Sequence, residues 1–258
     1  MDISWENPFE NLKKCKSFFE KAESEEADIL IFPETTCTGF TNNIDSAVSM
    51  FQIIYDEIKM MAVKHKINVI YGLISAGGNK ARNQSIALNS SGDVLWQYTK
   101  IHPFSYSEED LYFQKGSEIA FGEICGVCVS PFICYDLRFP EIFQAASDKA
   151  GLLAVIANWP QKRIEHWDIL LKARAVENQS FVVGVNRVGI GNDIQYCGHS
   201  SIISPSGVIL NPLSEKEELI VVEIDPGESD EYRKIFKVKQ DRRHELYAQF
   251  YKPVSPAD

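Results

Sequence analysis

The chain has 258 residues, of which 45% are apolar and 24% charged, and 26 Lys+Arg against 36 Asp+Glu give a formal net charge of −10. This composition is that of a globular protein and excludes a disordered chain, a collagen-like repeat and a coiled-coil rod. The acidic balance argues against nucleic acid and anionic membrane surfaces as partners, because both attract basic proteins.

Short apolar runs bounded by Gly, Pro or Asn alternate with helical periodicity along the chain. In chain order the pattern predicts helix 11–26, strand 28–32, helix 44–61, strand 68–73, hairpin 85–88/94–98, strand 127–133, helix 140–150, strand 152–156, helix 167–178, strand 180–185 and hairpin 201–204/208–210. This alternation favours mixed sheets covered by helices in one α/β domain. Acidic residues interrupt the basic cluster at 233–243, so we expect that cluster to form a solvated face.

The sequence contains no stretch near the roughly 18–20 apolar residues that a membrane span needs, and its first residues do not resemble a secretory signal. Six cysteines are too sparse for a disulfide framework at this length. We therefore expect a cytoplasmic protein with reduced thiols.

Three chemically distinctive side chains each follow a predicted strand. Glu34 follows strand 28–32, Lys100 follows 94–98, and Cys134 lies between strand 127–133 and a helix. If they converge above one sheet, they supply a proton shuttle, an oxyanion stabiliser and a nucleophile. Each also has an inert alternative: a solvated loop acid, an exposed lysine and a small buried thiol.

Three motifs around these residues, in this order, resemble the nitrilase (carbon–nitrogen hydrolase) superfamily. They are Phe-Pro-Glu-Thr-Thr-Cys-Thr-Gly-Phe at 32–40, Tyr-Thr-Lys-Ile-His-Pro-Phe at 98–104 and Ile-Cys-Tyr-Asp-Leu-Arg-Phe-Pro-Glu at 133–141. The likeness continues through His166–Asn178, 184–189, 198–201 and 241–247, and so covers nearly the whole chain.

The resemblance implies a single carbon–nitrogen hydrolase domain over 1–258, folded as a four-layer α-β-β-α sandwich that pairs into an eight-layer homodimer. It implies a catalytic triad of Glu34, Lys100 and Cys134, no cofactor and no metal. A second glutamate seven residues before a glycine corresponds to Glu109, before Gly116, with adjacent Glu108 as the alternative. Lys100 and the helix start after Cys134 are expected to favour the thiolate.

Within the superfamily, Asn158-Trp-Pro160, the His-Pro-Phe after Lys100 and the Val-Asn-Arg-Val-Gly run resemble omega-amidases. That likeness implies hydrolysis of the distal amide of 2-oxoglutaramate or 2-oxosuccinamate through a Cys thioester. Tyr135, Trp159 and Arg138 are the candidate substrate-binding residues. Arg138 has the alternative of an ion pair with Asp136 or Glu141, and Trp159 that of core packing.

Four other interpretations remain open at this stage. The first is a superfamily hydrolase of another carbon–nitrogen substrate, such as a carbamoyl amine or another aliphatic amide. The second is a Cys–His thiol hydrolase that uses His65, His102, His166, His199 or His244. The third is a zinc module built on Cys125 and Cys128, which lacks a second pair at zinc spacing. The fourth is a family member kept as a binding scaffold, against which the intact triad argues.

The resemblance also implies a core strand before the Asp2-Ile-Ser-Trp5 segment, where the sequence has Met1 alone. Truncation and a misassigned start are the two explanations open at this stage. An absent core strand exposes the hydrogen-bonding edge of its neighbour and removes buried apolar area. We therefore expect this form to be less stable than one with an added strand.

Overall fold

Eight helices and eleven strands alternate along residues 1–251, the part of the chain that the computed structural model describes. The strands are β1 Ile29–Ile31, β2 Asn68–Ala76, β3 Ala81–Leu88, β4 Val94–Thr99, β5 Gly122–Ile124, β6 Val127–Ile133, β7 Leu152–Ala157, β8 Phe181–Asn186, β9 Val188–Gly191, β10 Ile194–Cys197 and β11 Ser201–Ile203. The helices are α1 Pro8–Ser24, α2 Ile44–Ser49, α3 Phe51–His65, α4 Glu109–Tyr112, α5 Pro140–Ala146, α6 Ile164–Asn178, α7 Glu228–Ile235 and α8 His244–Phe250. Residues 252–258 of the predicted domain lie outside the described residues.

The strands form two main sheets, one in the order β1-β2-β3-β4 and the other in the order β11-β8-β7-β6-β5. In the first, β1 and β2 run parallel and β2, β3 and β4 form an antiparallel meander. In the second, β6, β7 and β8 are parallel. A separate ribbon pairs β9 with β10. None of the helices among residues 1–251 is long and apolar enough to cross a bilayer.

Three buried apolar clusters show that the two sheets stack face to face with helices outside. One cluster joins the sheets and contains residues of both, including Ile70 and Trp96 from the first and Ile133 and Ile156 from the second. Another packs α1 and α3 on the first sheet, and a third packs α5 and α6 on the second. The molecule is therefore an α-β-β-α sandwich, as the resemblance implied.

The predicted helix 44–61 is two helices, because the chain turns at Met50. Met50 donates its N–H to Ala47 O at 3.2 Å, which ends α2, and α3 begins at the next residue. The turn lets Ala47 pack in a small cluster with Ile74, while Ile54 packs in the core under α1. Hydrophobic periodicity runs through the break, so it does not reveal the turn.

Half of the basic cluster at 233–243 docks on the body of the protein, so the expectation of a solvated face is wrong for these residues. Arg233 donates to Ala150 O at 3.1 Å, Arg242 donates to Glu177 O at 2.8 Å, and Lys239 donates to Ser147. Carbonyl groups at the ends of α5 and α6 attract these cations, as is general at helix C-termini.

Candidate active site

Glu34 reaches the site because β1 and β2 approach unusually closely beyond the end of β1. Thr36 N donates to Gly72 O at 3.0 Å, and Thr35 adopts a positive φ of 46°. A Cβ on Gly72 would lie 2.1 Å from Thr35 N, so only glycine fits this position of β2. The backbone therefore turns sharply and directs the buried Glu34 carboxylate away from the strand.

Lys100 follows the last residue of β4, and its backbone N donates to Asn83 O on β3 at 2.9 Å. Its side chain is 2% exposed, and Nζ lies 3.0 Å from Glu34 Oε1 and 2.9 Å from Glu109 Oε2. Gly116 N donates to Lys100 O at 2.8 Å. A Cβ on Gly116 would lie 2.1 Å from Thr99 O, which explains why glycine occupies this place.

Glu109, and not Glu108, is the second acid beside the lysine. Glu109 is fully buried at the start of α4, and Phe104 N donates to its Oε2 at 2.5 Å. Glu108 is exposed and precedes it with a left-handed backbone. Glu109 makes two contacts with Lys100 Nζ, at 2.9 and 3.1 Å, and so holds the ammonium in place.

Two asparagines that the sequence analysis did not identify as site residues complete this network. Asn83 Nδ2 donates to Glu34 Oε1 at 2.7 Å and to Glu109 Oε1 at 3.0 Å, so it joins the two carboxylates. Asn158 N donates to Glu34 Oε2 at 2.8 Å, and its Nδ2 donates to Glu34 O at 2.8 Å. Both oxygens of Glu34 are therefore held, since buried charges require such partners.

Cys134 lies in a sharp turn between β6 and a 3-10 turn, Cys134–Arg138, with a φ of 46°. The buried carboxylate of Asp136 holds this turn, because it accepts from Ile133 N at 3.1 Å and Tyr98 OH at 2.7 Å. Positive φ is costly for a residue with a Cβ, and such strain occurs at functional sites. Cys134 Sγ lies 3.9 Å from Asn158 O and shares a pocket with Glu34 and Lys100.

The surroundings of Cys134 favour the thiol, whereas the sequence analysis expected Lys100 and the following helix start to favour the thiolate. Burial raises the pKa of Cys134, the carboxylate of Glu34 raises it further, and Lys100 only partly opposes them, so the net pKa lies well above its usual value. The two carboxylates and one ammonium carry a net negative charge, which disfavours a third anion at the sulfur.

Lys100 keeps its proton in the same surroundings. Burial by itself lowers the pKa of the lysine, but Glu109 and Glu34 outweigh burial, and the net pKa lies well above its usual value. The ammonium therefore acts as a fixed positive charge, and Glu34, which lines the same pocket as Cys134, is a carboxylate that can accept a proton.

A pocket of about 90 Å³ opens above Cys134 and brings the predicted substrate-binding residues together. Its lining contains Glu34, Lys100, Glu109, Cys134, Tyr135, Arg138, Asn158, Trp159 and Arg163, with Phe40, Phe104, Ser107, Pro160, Ile194 and Tyr196. Trp159 satisfies both interpretations, because it is 2% exposed in the core under α6 and also lines the pocket. The size suits a small molecule.

Arg138 and Arg163 give the pocket a positive wall. The alternative of an ion pair between Arg138 and Asp136 or Glu141 is wrong, because Asp136 is engaged by Tyr98 and His102. Arg138 instead stacks on Trp159, with Cζ 4.7 Å from the ring centroid. Neither arginine has a carboxylate within 4.0 Å among residues 1–251. Burial and then the charge of Arg163 lower the pKa of Arg138.

The structure provides no imidazole partner for the thiol within residues 1–251, since no histidine lines the pocket. His102 bonds to Asp136 at 2.9 Å, and His199 bonds to Asp168 at 2.9 Å. The Cys–His interpretation therefore has no support in the geometry. In the same range no group of three or more His, Cys, Asp or Glu side chains is placed to hold a metal ion.

Comparisons with known proteins match almost the entire chain. A family profile described as carbon-nitrogen hydrolase covers residues 1–234. A 2-oxoglutaramate amidase of Bacillus subtilis is 38% identical over 95% of this chain and 96% of the relative, and an omega-amidase of Escherichia coli K12 is 33% identical over 83% and 84%. A CN-hydrolase superfamily protein of Xanthomonas campestris with an arsenic adduct in its active site has a TM-score of 0.88 at 29% identity, covering 93% of this chain and 94% of that one.

Proposed function

The chain belongs to the carbon–nitrogen hydrolase family and is an amidohydrolase, and we propose that it cleaves the distal amide of a small dicarboxylic half-amide of the 2-oxoglutaramate or 2-oxosuccinamate type. One observation carries this proposal. The pocket is lined by Cys134, Glu34 and Lys100 and also by Arg138 and Arg163, which have no acidic partner among the described residues. A small molecule that carries both an amide and a carboxylate matches these two groups of side chains, and the names of the relatives support the same class.

The first step forms a thioester at Cys134. Glu34 accepts the thiol proton while the sulfur attacks the amide carbon, which is consistent with a resting thiol beside an oriented carboxylate. The tetrahedral oxyanion is stabilised by the Lys100 ammonium and the backbone N–H of Tyr135, and such a donor contributes roughly 3–4 kcal/mol.

Ammonia then leaves, and water regenerates the enzyme. Protonated Glu34 gives its proton to the nitrogen as the carbon–nitrogen bond breaks, because ammonia is a far better leaving group than its anion. Glu34 next accepts a proton from water, which attacks the thioester, and passes that proton to the sulfur as the carbon–sulfur bond breaks. This releases the dicarboxylate and regenerates the Cys134 thiol and the Glu34 carboxylate. Lys100 stays cationic throughout, since Glu109 and Asn83 hold the negative charge around it in place.

We further propose that the chain works as one domain, as a homodimer and in the cytoplasm. One domain is supported by the cluster between the sheets, which neither sheet completes alone. The dimer is supported by Ile169 and Val176, 65% and 51% exposed on one face of α6. Light scattering of the purified protein tests the pairing. The cytoplasm suits a mechanism that needs Cys134 reduced.

The test measures ammonia release from half-amides and matched neutral amides. We expect ammonia release to be faster from 2-oxoglutaramate or 2-oxosuccinamate than from a neutral amide of equal length, from carbamoyl amines or from nitriles. In Arg138→Gln and Arg163→Gln, KM for the half-amide should rise roughly 10- to 100-fold, the size of a lost charged hydrogen bond. The neutral amide, which has no carboxylate, provides the matched control, and its KM should stay constant. A preference for the neutral amide in the unaltered enzyme contradicts the proposal.

A further inference from the structure

Tyr196 presents a phenol to the pocket above Cys134 from the ribbon of β9 and β10. In this ribbon Tyr196 lies opposite Gly189, and it lines the pocket together with Ile194, two residues earlier. Residues two apart in a strand direct their side chains to the same face, so this face of β10 forms part of the pocket wall. Tyr196 is 6% exposed, which makes its ring part of the packed wall.

The hydroxyl of Tyr196 forms no hydrogen bond with another group of residues 1–251, unlike the polar atoms of two other buried aromatic side chains at the site. Tyr98 OH donates to Asp136 at 2.7 Å, and Trp159 Nε1 donates to Arg163 O at 2.7 Å. Buried hydroxyls normally have a partner. The Tyr196 hydroxyl is therefore available to a molecule bound in the pocket.

A buried arginine holds the ring of Tyr196 in place. Arg187 is 1% exposed, and its Cζ lies 4.5 Å from the centroid of the Tyr196 ring. The guanidinium donates to Ile3 O at 2.7 Å and to Val188 O at 3.2 Å, so backbone groups fix the cation beside the ring. A cation over an aromatic face attracts the ring, and its charge favours electron density on the phenol oxygen. Arg187 therefore both positions the hydroxyl and strengthens it as a donor.

The phenol of Tyr196 is a neutral donor at neutral pH. Burial raises the pKa of Tyr196 to about 12, although the charge of Arg187 partly opposes burial. The carboxylate of Glu34 raises this pKa further, and the charge of Arg163 lowers it. The hydroxyl thus lies within electrostatic range of the catalytic carboxylate and of the positive wall.

Given the half-amide substrate proposed above, on which this inference rests, we propose that the Tyr196 hydroxyl donates a hydrogen bond to the 2-oxo oxygen and so selects 2-oxo half-amides over half-amides without that group. In such a molecule the oxo carbon lies between the carboxylate, which Arg138 and Arg163 attract, and the amide, which Cys134 attacks. A carbonyl oxygen needs a donor when it leaves water, whereas the carboxylate already has two guanidinium groups. Tyr196 is a specificity-determining residue of the pocket.

The test compares 2-oxoglutaramate with glutaric monoamide, which differs from it only at carbon 2, a methylene instead of a carbonyl. Both substrates are given to the unaltered enzyme and to Tyr196→Phe, which loses the hydroxyl and keeps the ring beside Arg187. We expect kcat/KM for ammonia release from 2-oxoglutaramate to fall roughly 10-fold, the size of one hydrogen bond to an uncharged group. For glutaric monoamide it should stay constant within about twofold, because no hydrogen bond is lost.

Tyr106→Phe is the matched control, since Tyr106 is 85% exposed and does not line the pocket. It should leave kcat/KM unchanged for both substrates. Glutaric monoamide also reports on folding in Tyr196→Phe, because its hydrolysis needs the same triad and the same arginines.

Two results overturn the role of Tyr196 and leave the proposed function standing. An equal loss of kcat/KM for both substrates means that the hydroxyl acts on the carboxylate or on the fold. No loss for either substrate means that the hydroxyl does not contact the substrate. Failure of the proposed function has a different signature, a preference of the unaltered enzyme for neutral amides, and that result overturns both.

Discussion

The pocket above Cys134 and a second cavity, lined by residues 27–33 and 218–224, differ in how completely their polar groups are paired; we call the second cavity the slot. Beyond the end of β1, Glu34 is bonded to Lys100, Asn83 and Asn158 at distances of 2.7 to 3.0 Å. Along the edge of β1, Ile29 and Ile31 lie across the slot, of about 760 Å³, from residues 218–224, whose backbone groups have no hydrogen bond to another described residue. The polar groups of the site are therefore paired, whereas backbone groups along the slot lack partners among residues 1–251.

This contrast teaches that reactivity and stability have separate sources in this fold. The charged cluster of Glu34, Lys100 and Glu109 is held by neighbouring residues of the two sheets, so its geometry does not depend on the slot. The free energy of unfolding, by contrast, depends on backbone groups and apolar area that the slot leaves unpaired. Changes in the pocket should therefore alter rate, and changes at the slot should alter stability.

The largest expected effect is the loss of activity in Cys134→Ala. Removing the sulfur removes the thioester route, so ammonia release should fall by about 10⁴-fold or more, the scale seen when a nucleophile is deleted. Tm should change by only a few degrees, because the site is half-buried. Cys125→Ala, at an exposed cysteine, serves as the matched control and should retain full activity. Turnover retained in Cys134→Ala contradicts the mechanism.

A smaller effect is expected from Asn83→Leu, which removes the amide between the two buried carboxylates. The repulsion between Glu34 and Glu109 is then less well screened, and kcat should fall roughly 100-fold, as for other preorganised donors. The control is Gln84→Leu, the next residue of β3, which bonds to Ser75 and Thr99 instead. If both variants lose kcat equally, Asn83 acts only through folding.

The smallest effect is a pH dependence that arises at the slot. In the folded protein, burial lowers the pKa of the Met1 amine, at the border of the slot, from its ordinary 8.0 to about 6. The unfolded chain therefore binds more protons between pH 6 and 8, and the free energy of unfolding should increase with pH across this window, by on the order of 2 kcal/mol. Denaturant titrations at several pH values measure it. Burial is the main cause of this lowered pKa; Arg187 adds to it, while Glu217, Asp2 and Cys15 oppose it.

N-terminal acetylation is the control for that measurement. It converts the amine to an amide and leaves every histidine, which titrates in the same window, unchanged. The difference in free energy of unfolding between the acetylated and the free protein should therefore increase as the pH falls from 8 to 6. If the free energy of unfolding changes with pH in the same way in the acetylated and the free protein, the amine is solvated and the prediction is wrong.

The sequence predicts the strand-end residues well because strand ends can be read locally. Glu34, Lys100 and Cys134 each follow an apolar run, so the triad does not require knowledge of the pairing register. Asn83 lies inside a strand, and only the register of β3 beside Lys100 shows its role. Arg163 precedes α6 without any local signal, since its approach to Arg138 depends on how α6 packs.

Local sequence patterns also fail to predict properties that depend on several neighbouring groups at once. The pKa of Cys134 depends on burial and on the balance of three neighbouring charges, and the proximity of a lysine alone suggests the wrong direction. The basic residues at 233–243 read as a solvated face because their partners, the carbonyl groups ending α5 and α6, are distant in sequence. Periodicity alone likewise does not reveal the turn at Met50.

The absence of a side chain at Gly72 has a consequence for mutations in the gene of this protein. A single methyl group there would collide with the backbone at Thr35 and displace the neighbouring carboxylate, although residue 72 itself touches no reacting atom. A random screen for inactive alleles should therefore recover codon 72 together with codon 134.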